Sequence, residues 1–211
     1  MNIFYLDRDT KTCAEMHVDK HVVKMILEYA QLLSTAHRML DGTLSVGHSA
    51  SGRKKTSYVL IDQRESVLYS ATHINHPSAI WVRQSDANYA WLFQMFGALM
   101  DEYTYRYGKI HASGRLVDAL SYKPKNISKG PFTEPTPAMP EECKVTGDSI
   151  ASYRKYYLTN KVKIARWTNR NMPHWFSAGI YTLYEDVCYT KLKLNRIISM
   201  PLKYANIYIS R

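Results

Sequence analysis

The sequence predicts an all-α fold, a mainly α-helical single domain with long irregular loops. Three long stretches, about 10–40, 86–107 and 148–167, have apolar residues at helical spacing behind a capping residue. Hydrophobic residues make up 45% of the 211 residues and charged residues 22%, as in globular chains. We expect residues 1–176 to form a helical domain that binds nucleic acid or a nucleotide. Residues 177–211 then form a C-terminal extension packed on it, or a tail.

The N-terminal region begins with a short apolar segment, "MNIFYL", which predicts a buried strand or an extended arm. Asp9 or Thr10 is a suitable cap for one long helix that ends near Leu40, before "DGT". Along it runs an apolar stripe of Val18, Val22, Met25, Tyr29, Leu33, Ala36 and Leu40. Beside it runs a polar stripe of His17, His21, Lys24, Glu28, Gln31, Thr35 and Arg38.

The middle of the chain alternates loops and helices. Residues 41–57 are rich in Gly and Ser and predict a mobile loop, and a short helix is plausible within 58–72. Pro77 opens a helical turn, and a long helix over 86–107 is capped by Ser85 and stopped by Gly108.

The second half of the chain begins with a short helix near 114–121. Residues 122–147 contain five prolines and predict a long irregular crossing packed against the body. Asp148 caps a third long helix to about Trp167, and the last 35 residues predict a helix plus a strand, or a tail.

The net charge and the cysteines limit the partners and the compartment. A formal charge of +10 favours an anionic partner, namely nucleic acid or a nucleotide. The three cysteines are far apart and form no CxxC, which indicates a reducing cytosol. No apolar stretch approaches the ~20 residues of a membrane span, so no membrane partner is predicted.

The polar stripe of the first helix is the first candidate site. Lys20 or Lys24 would serve a phosphate or an imine, and His17 and His21 would act as acid, base or phosphate donors. We predict that this face is the wall of a site, with Glu28 among its binding residues, while a solvated face is the alternative. The HExxH pattern of a zinc enzyme is absent because Val18 stands at its glutamate position. We therefore assign neither a metal nor a cofactor.

The segment "THINHPSAIWVRQSDANY" is the second candidate. Short polar groups at a helix start suit phosphate or base recognition, and a structural corner is an equal alternative. The binding residues predicted in it are His73, Asn75, His76 and Arg83.

The third candidate is "YRKYYLTNKVKIARWTNRNMPHWF", where cations alternate with aromatic residues. Cations neutralise phosphates and aromatic rings stack on bases, whereas the alternative is a basic amphipathic helix with its rings in the core. The cations predicted to bind are Arg154, Lys161 and Arg166. The chain lacks GxGxxG, GxxxxGK[ST] and GxSxG, so dinucleotide, P-loop and hydrolase-elbow functions have no support.

Over about residues 1–112 the chain resembles the pyrimidine-dimer DNA glycosylase/lyase family of phages and bacteria. The resemblance lies in "NHPSAIW", in the helix ending "YRYGK" and in the histidine-bearing "AEMHVDKHV". The chain is also similar to small tailed-phage proteins that carry "DKHVVKM", "QLLSTAHR" and "IARW" blocks.

The resemblance implies a compact all-α fold, DNA binding and a characteristic imine mechanism. In that family an N-terminal amine attacks the sugar C1′ and a glutamate on a helix assists. Here the glutamate is expected near Asp19, Lys20 or Lys24, where none stands, and Met1 is expected to remain before Asn2. Lys20 or Lys24, with His21, would then be the catalytic residues.

Two functions remain open at this stage. The first is a phage-type DNA-processing protein that resembles a pyrimidine-dimer glycosylase and binds nucleic acid in a basic cleft, with its catalytic activity left undecided. The alternative is a non-catalytic phage protein that binds a nucleotide immune signal, a cyclic nucleotide or an ADP-ribose derivative, and so counters host defence. The sequence also leaves open whether two chains form a homodimer.

Overall fold

The protein is mainly α-helical, as the sequence predicts. The computed structural model describes residues 1–48 and 51–193. Among these residues the α-helices are α1 (Thr10–Met16), α2 (Asp19–Asp41), α3 (Arg64–Val67), α4 (Pro77–Gln84), α5 (Asp86–Tyr107), α6 (Val117–Ser121), α7 (Ser149–Tyr156) and α8 (His174–Lys193). Short 3₁₀ turns lie at Ala112–Leu116, Glu141–Cys143 and Val162–Ile164, and a π-helical turn lies at Tyr157–Lys161.

The chain divides into two compact units, Met1–Met172 and Pro173–Arg211. In the first unit the long helices α2 and α5 pack against each other and against α4, and α1 packs against α5. In the second unit the structure describes α8 alone. The strand predicted near the C-terminus lies outside the described residues. No helix in the described part of the chain is long and apolar enough to cross a membrane.

The N-terminal segment is an extended arm in the core of the first unit. Ile3, Phe4, Tyr5 and Leu6 are each at most 5% exposed. The Phe4 backbone N–H donates to the Tyr29 hydroxyl at 3.2 Å, which fixes the arm against the middle of α2. The sequence predicted burial and left strand or arm open; no strand partner is present among the described residues.

The single long helix predicted over 10–40 is wrong, because the chain breaks at His17 and Val18. Both residues have extended backbone, with ψ of 135° and 152°. The Asp19 N–H donates to the Arg166 carbonyl at 2.8 Å, so a distant segment supplies a partner for the start of α2. His17 therefore does not share a helix face with His21, and the predicted polar stripe begins at His21.

The mobile loop predicted over 41–57 is also wrong, since most of it forms an antiparallel β-hairpin. Strand β1 (Thr43–His48) pairs with β2 (Lys54–Val59), with Thr43 opposite Val59 and His48 opposite Lys54. Gly42 connects the hairpin to α2, and a Cβ there would lie 2.5 Å from the Arg38 carbonyl oxygen. A larger residue at that position would push the first strand away from the helix end.

The predicted helix over 86–107 is confirmed, and so are its caps. The Ser85 hydroxyl accepts from the Asn88 N–H, and Gly108 ends the helix with a left-handed φ of 63°. Pro77 does open a helix, and the short helix near 114–121 is present. The helix capped by Asp148 is shorter than predicted, because its α-helical part ends at Tyr156 and continues as π and 3₁₀ turns to Ile164.

Candidate functional site

A glutamate on α2 lies between two amines, and this is the chemically most suggestive group in the described structure. The Oε2 atom of Glu28 is 3.9 Å from the α-amine of Met1, and its Oε1 atom is 3.2 Å from Nζ of Lys24. The Glu28 side chain is 13% exposed, whereas that of Lys24 is 68% exposed. Charges at a partly buried carboxylate are screened less by solvent than charges on the surface. We call Met1, Lys24 and Glu28 the amine–glutamate site.

The extended arm places the α-amine at this point. The Asn2 side-chain amide donates to the Ala138 carbonyl at 2.8 Å and its Oδ1 accepts from the Tyr153 hydroxyl at 2.6 Å. Two anchors on Asn2 and the buried residues that follow leave the preceding amine little freedom. Holding a reactive group in place in this way removes part of the entropy cost of a reaction.

The "THINHP" corner lies beside the amine–glutamate site. The Thr35 hydroxyl of α2 accepts from the Thr72 N–H at 3.1 Å, which ties the corner to the helix. The pKa of His76 is lowered, first by burial and then by the positive α-amine of Met1 and by His73, while Glu28 acts in the opposite direction. His76 therefore lies within electrostatic range of both charges of the pair.

His76 is a neutral hydrogen-bond donor in this arrangement. It is the N-cap of α4, and its Nδ1 accepts from the Ser78 N–H at 3.1 Å. An acceptor nitrogen carries no proton, so the neutral ring has its proton on Nε2. The half-buried ring thus has an N–H group within electrostatic range of Glu28 and the Met1 amine.

His73 and Asn75 are exposed on the same corner. His73 has a left-handed φ of 49°, a conformation that costs a non-glycine residue of the order of 1 kcal/mol. Its Nδ1 lies 2.7 Å from the Thr72 hydroxyl, and its carbonyl accepts from the His76 N–H at 2.8 Å. The strained turn therefore holds the two histidines of the corner at a set spacing.

His17 and His21 lie in the core, and the role predicted for them, as acid, base or phosphate donors on the wall of a site, does not fit their surroundings. His21 is 7% exposed, stacks on Phe4 with ring centroids 4.1 Å apart, and its Nδ1 lies 2.7 Å from the Tyr157 hydroxyl. His17 is fully buried, and its Nδ1–H donates to the Cys13 carbonyl at 2.7 Å. Burial lowers the pKa of His17 to about 4 and that of His21 to about 2.

The remaining basic residues that the sequence suggested differ in their surroundings. Lys20 is exposed on α2. Arg154 donates from Nε to the Leu6 carbonyl at 3.0 Å, Lys161 lies 4.5 Å over the Tyr156 ring, and the exposed Arg166 has Nε 3.6 Å from Asp19 Oδ2. Arg83 donates to the Ala79 carbonyl of its own helix at 3.0 Å. Contacts within the fold thus account for several of the basic residues that the sequence suggested for an anion.

The α-amine of Met1 is the site group that sequence reasoning missed. The resemblance places the glutamate near Asp19, Lys20 or Lys24, but the structure brings Glu28 to the amine, about one to two and a half turns further along α2. One signal was present: Lys24 and Glu28 are four residues apart, a spacing that pairs opposite charges on a helix. The contact between Glu28 and the Met1 amine depends on the path of the extended arm, and no comparable pattern in the sequence indicates that path.

No family model, curated protein or solved structure matches the chain. Within residues 1–48 and 51–193, no group of three or more His, Cys, Asp and Glu side chains is arranged to hold a metal ion. The case for a function therefore depends on the geometry of the site itself.

Proposed function

We propose that this protein is a DNA glycosylase/lyase of the phage type, in which an amine beside Glu28 attacks the sugar of a damaged or modified nucleotide. The observation that carries the proposal is the position of Glu28, with one carboxylate oxygen near the Met1 α-amine and the other near Lys24 Nζ. An amine next to a carboxylate is the arrangement that imine chemistry at a sugar requires, because the carboxylate takes up and returns protons while the amine forms the bond.

The proposed reaction balances as follows. The unprotonated amine attacks C1′, the C1′–N bond to the base breaks, and the base leaves with a proton. The sugar ring opens to give an imine between C1′ and the amine nitrogen. Glu28 then removes a proton from C2′, and the bond from C3′ to its phosphate breaks, which cuts the strand. Water finally hydrolyses the imine and restores the free amine.

Of the two amines, we favour that of Met1 as the nucleophile. The arm holds the Met1 amine in place, whereas the Lys24 side chain is mostly in solvent. Lys24 then contributes positive charge for a nearby phosphate.

The corner supplies two further supports for the proposal. In the proposed reaction the Nε2–H group of His76, whose Nδ1 accepts from the Ser78 N–H, donates to the departing base or to a sugar oxygen. The left-handed His73 belongs to the class of strained non-glycine residues that concentrate at functional sites. A flipped-out nucleotide would have this corner on one side and α2 on the other.

Borohydride trapping tests the proposal and gives the first prediction. The wild-type protein, incubated with ultraviolet-irradiated duplex DNA and reduced, is expected to form a covalent adduct that migrates slowly on a denaturing gel. Glu28→Gln keeps the shape of the side chain but cannot accept a proton, so we expect the adduct and strand cleavage to fall by about 10²-fold or more. Glu141→Gln, whose side chain is 85% exposed, is the matched control and should behave like the wild type.

Peptide mapping of the adduct assigns the nucleophile to Met1 or to Lys24. Failure of the wild type to give an adduct or cleavage with either irradiated or undamaged DNA would contradict the lyase. Saturable binding of a cyclic nucleotide or an ADP-ribose derivative in the same preparation would then favour a sequestering protein.

A further inference from the structure

The N-terminal half of α2 presents an exposed face that adjoins the amine–glutamate site. Lys20 and Lys24 are exposed, and the aliphatic side chains of Val23 and Leu27 are 42% and 40% exposed. Leu27 follows Lys24 by three residues and Glu28 follows it by four, so both are neighbours of Lys24 one turn further along the helix. A substrate held at Lys24 and Glu28 therefore borders the Leu27 side chain.

The exposed aliphatic side chains of α2 are confined to the stretch that carries the site. Every side chain from residue 32 to residue 38 is buried, whereas Val23 and Leu27 are exposed. These two residues are four positions apart and are therefore neighbours on the helix surface. Within the described residues the fold thus leaves an aliphatic pair uncovered beside Lys24 and Glu28.

The charges on this face favour an anionic strand as its partner. Lys20 and Lys24 are four residues apart, a spacing at which like charges repel each other on a helix surface. Asp19, the carboxylate next to Lys20 in the sequence, is 14% exposed and accepts from Arg106 at 2.9 Å. The other carboxylate in this half of the helix is Glu28, which belongs to the site. Phosphate groups along a strand would offset both ammonium groups, which lie about 6 Å apart along the helix axis.

We propose that Leu27 is a positioning residue that fills the place left in a DNA duplex when a nucleotide turns out of the stack towards Glu28, with Lys20 at a phosphate of the same strand. The choice of DNA rests on the proposed function. The arm fixes the Met1 amine to the protein, so the sugar C1′ has to come to the amine, and a nucleotide inside a duplex does so by leaving the stack. Apolar side chains, leucine among them, enter between base steps in other DNA-binding proteins and hold the stack open. Leu27 is the apolar side chain that borders the reacting carboxylate.

Trapping on two forms of the same damaged DNA tests the role of Leu27. Opening the stack costs free energy in a duplex but little in a single strand. Leu27→Ala is therefore expected to form the borohydride-trapped adduct about tenfold more slowly than the wild type on irradiated duplex, and within about twofold of the wild type on the irradiated single strand. Alanine has the highest helix propensity, so the substitution does not weaken α2 itself. Leu27→Met keeps an apolar side chain of similar volume and should recover most of the lost rate on the duplex.

Leu44→Ala is the matched control, because it makes the same substitution at a side chain that is 56% exposed in the β1–β2 hairpin. It should match the wild type on both substrates. A loss by Leu27→Ala on the single strand as large as its loss on the duplex would overturn the inference and leave the lyase intact, since Leu27 would then support the site or the fold. An undiminished rate of Leu27→Ala on the duplex, or an equal loss in Leu44→Ala, would overturn it as well.

The phosphate contact of Lys20 is tested by fluorescence anisotropy of the duplex at several salt concentrations. Lys20→Ala is expected to reduce the slope of log affinity against log salt by up to about 1. Lys109→Ala removes the same charge from an exposed position at the end of α5 and should change the slope little. Equal slopes for Lys20→Ala and the wild type would contradict the phosphate contact.

A wild type that forms no adduct would contradict the lyase, and fluorescence then decides the role of Leu27. The probe is a duplex with 2-aminopurine beside a thymine dimer, because 2-aminopurine fluoresces more strongly when the stack around it opens. A rise in fluorescence on binding of the wild type that Leu27→Ala abolishes would uphold the role of Leu27. The absence of a rise with the wild type, or an equal rise with Leu27→Ala, would overturn it.

Discussion

Acidification from pH 7 to pH 5 is expected to remove about 6 kcal/mol from the free energy of unfolding, largely through three buried histidines. His17, His21 and His37 are 0%, 7% and 0% exposed. Burial is the main cause that lowers their pKa values, to about 4, 2 and 4. In the unfolded chain each histidine titrates near 6.5. Below that pH the three histidines bind protons in the unfolded state but not in the folded state, which lowers the free energy of unfolding.

The size of the loss in the free energy of unfolding follows from the pH range between the pKa of a histidine in the unfolded chain and its pKa in the folded protein. Between pH 6.5 and about 4 each histidine lowers the free energy of unfolding by roughly 1.4 kcal/mol per pH unit, which gives about 2 kcal/mol at pH 5. Total stabilities are typically only about 5–15 kcal/mol, so the protein should be close to unfolding there. Carboxylates with lowered pKa values, such as Asp41 and Glu102, lose their contribution only when the pH falls further, below about 4.

Urea unfolding at pH 7, 6 and 5 measures the effect. His21→Gln keeps a polar atom for Tyr157 but does not titrate, so its loss between pH 7 and pH 5 should be about a third smaller than that of the wild type. The two proteins are compared by how far the free energy of unfolding of each falls between pH 7 and pH 5. A loss of stability that His21→Gln causes at pH 7 therefore does not affect the comparison. A free energy of unfolding that is flat between pH 7 and pH 5 would contradict the expected titration.

Replacing Arg106 by Leu is expected to cost about 3–5 kcal/mol, the usual result of removing one member of a buried ion pair. The Arg106 side chain is fully buried and donates to Glu102 at 2.6 Å and to Asp19 at 2.9 Å. It also donates to the carbonyls of Glu15 and His17, both at 2.9 Å. One guanidinium thus fastens the break between α1 and α2 to α5.

The loss arises from the groups that Arg106 leaves behind. Glu102 is 3% exposed and would keep Arg170 as its only other cation among the described residues. Arg106→Lys retains the charge but not the fork of donors, so its cost should be intermediate. Lys109→Leu, at an exposed position nearby, should stay within about 0.5 kcal/mol of the wild type. Equal free energies of unfolding for Arg106→Leu and Lys109→Leu in urea would contradict the stabilising role of Arg106 at the break between α1 and α2.

Both acidification and Arg106→Leu are expected to disturb the amine–glutamate site. The arm, the break at His17 and α2 together position the Met1 amine and Glu28, so loosening the core should disturb that pair before it unfolds the chain. Activity lost on mild acidification would then report the loosening of the fold, so the trapping experiment should be run near pH 7.

The sequence by itself determined the helical class, the caps of α5 and the start of α4 at Pro77, and it indicated the candidate segments around Glu28 and His76. These features depend on residues a few positions apart, which a single chain displays directly. Only the tertiary structure decided the break at His17, the burial of His21 and the pairing of Met1 with Glu28, because each depends on a contact between distant parts of the chain. Arg166 and Arg106 stabilise the break, Tyr157 accommodates His21, and the buried arm delivers the amine. Spacing along a helix cannot reveal contacts of that kind, since they arise only when separate elements pack.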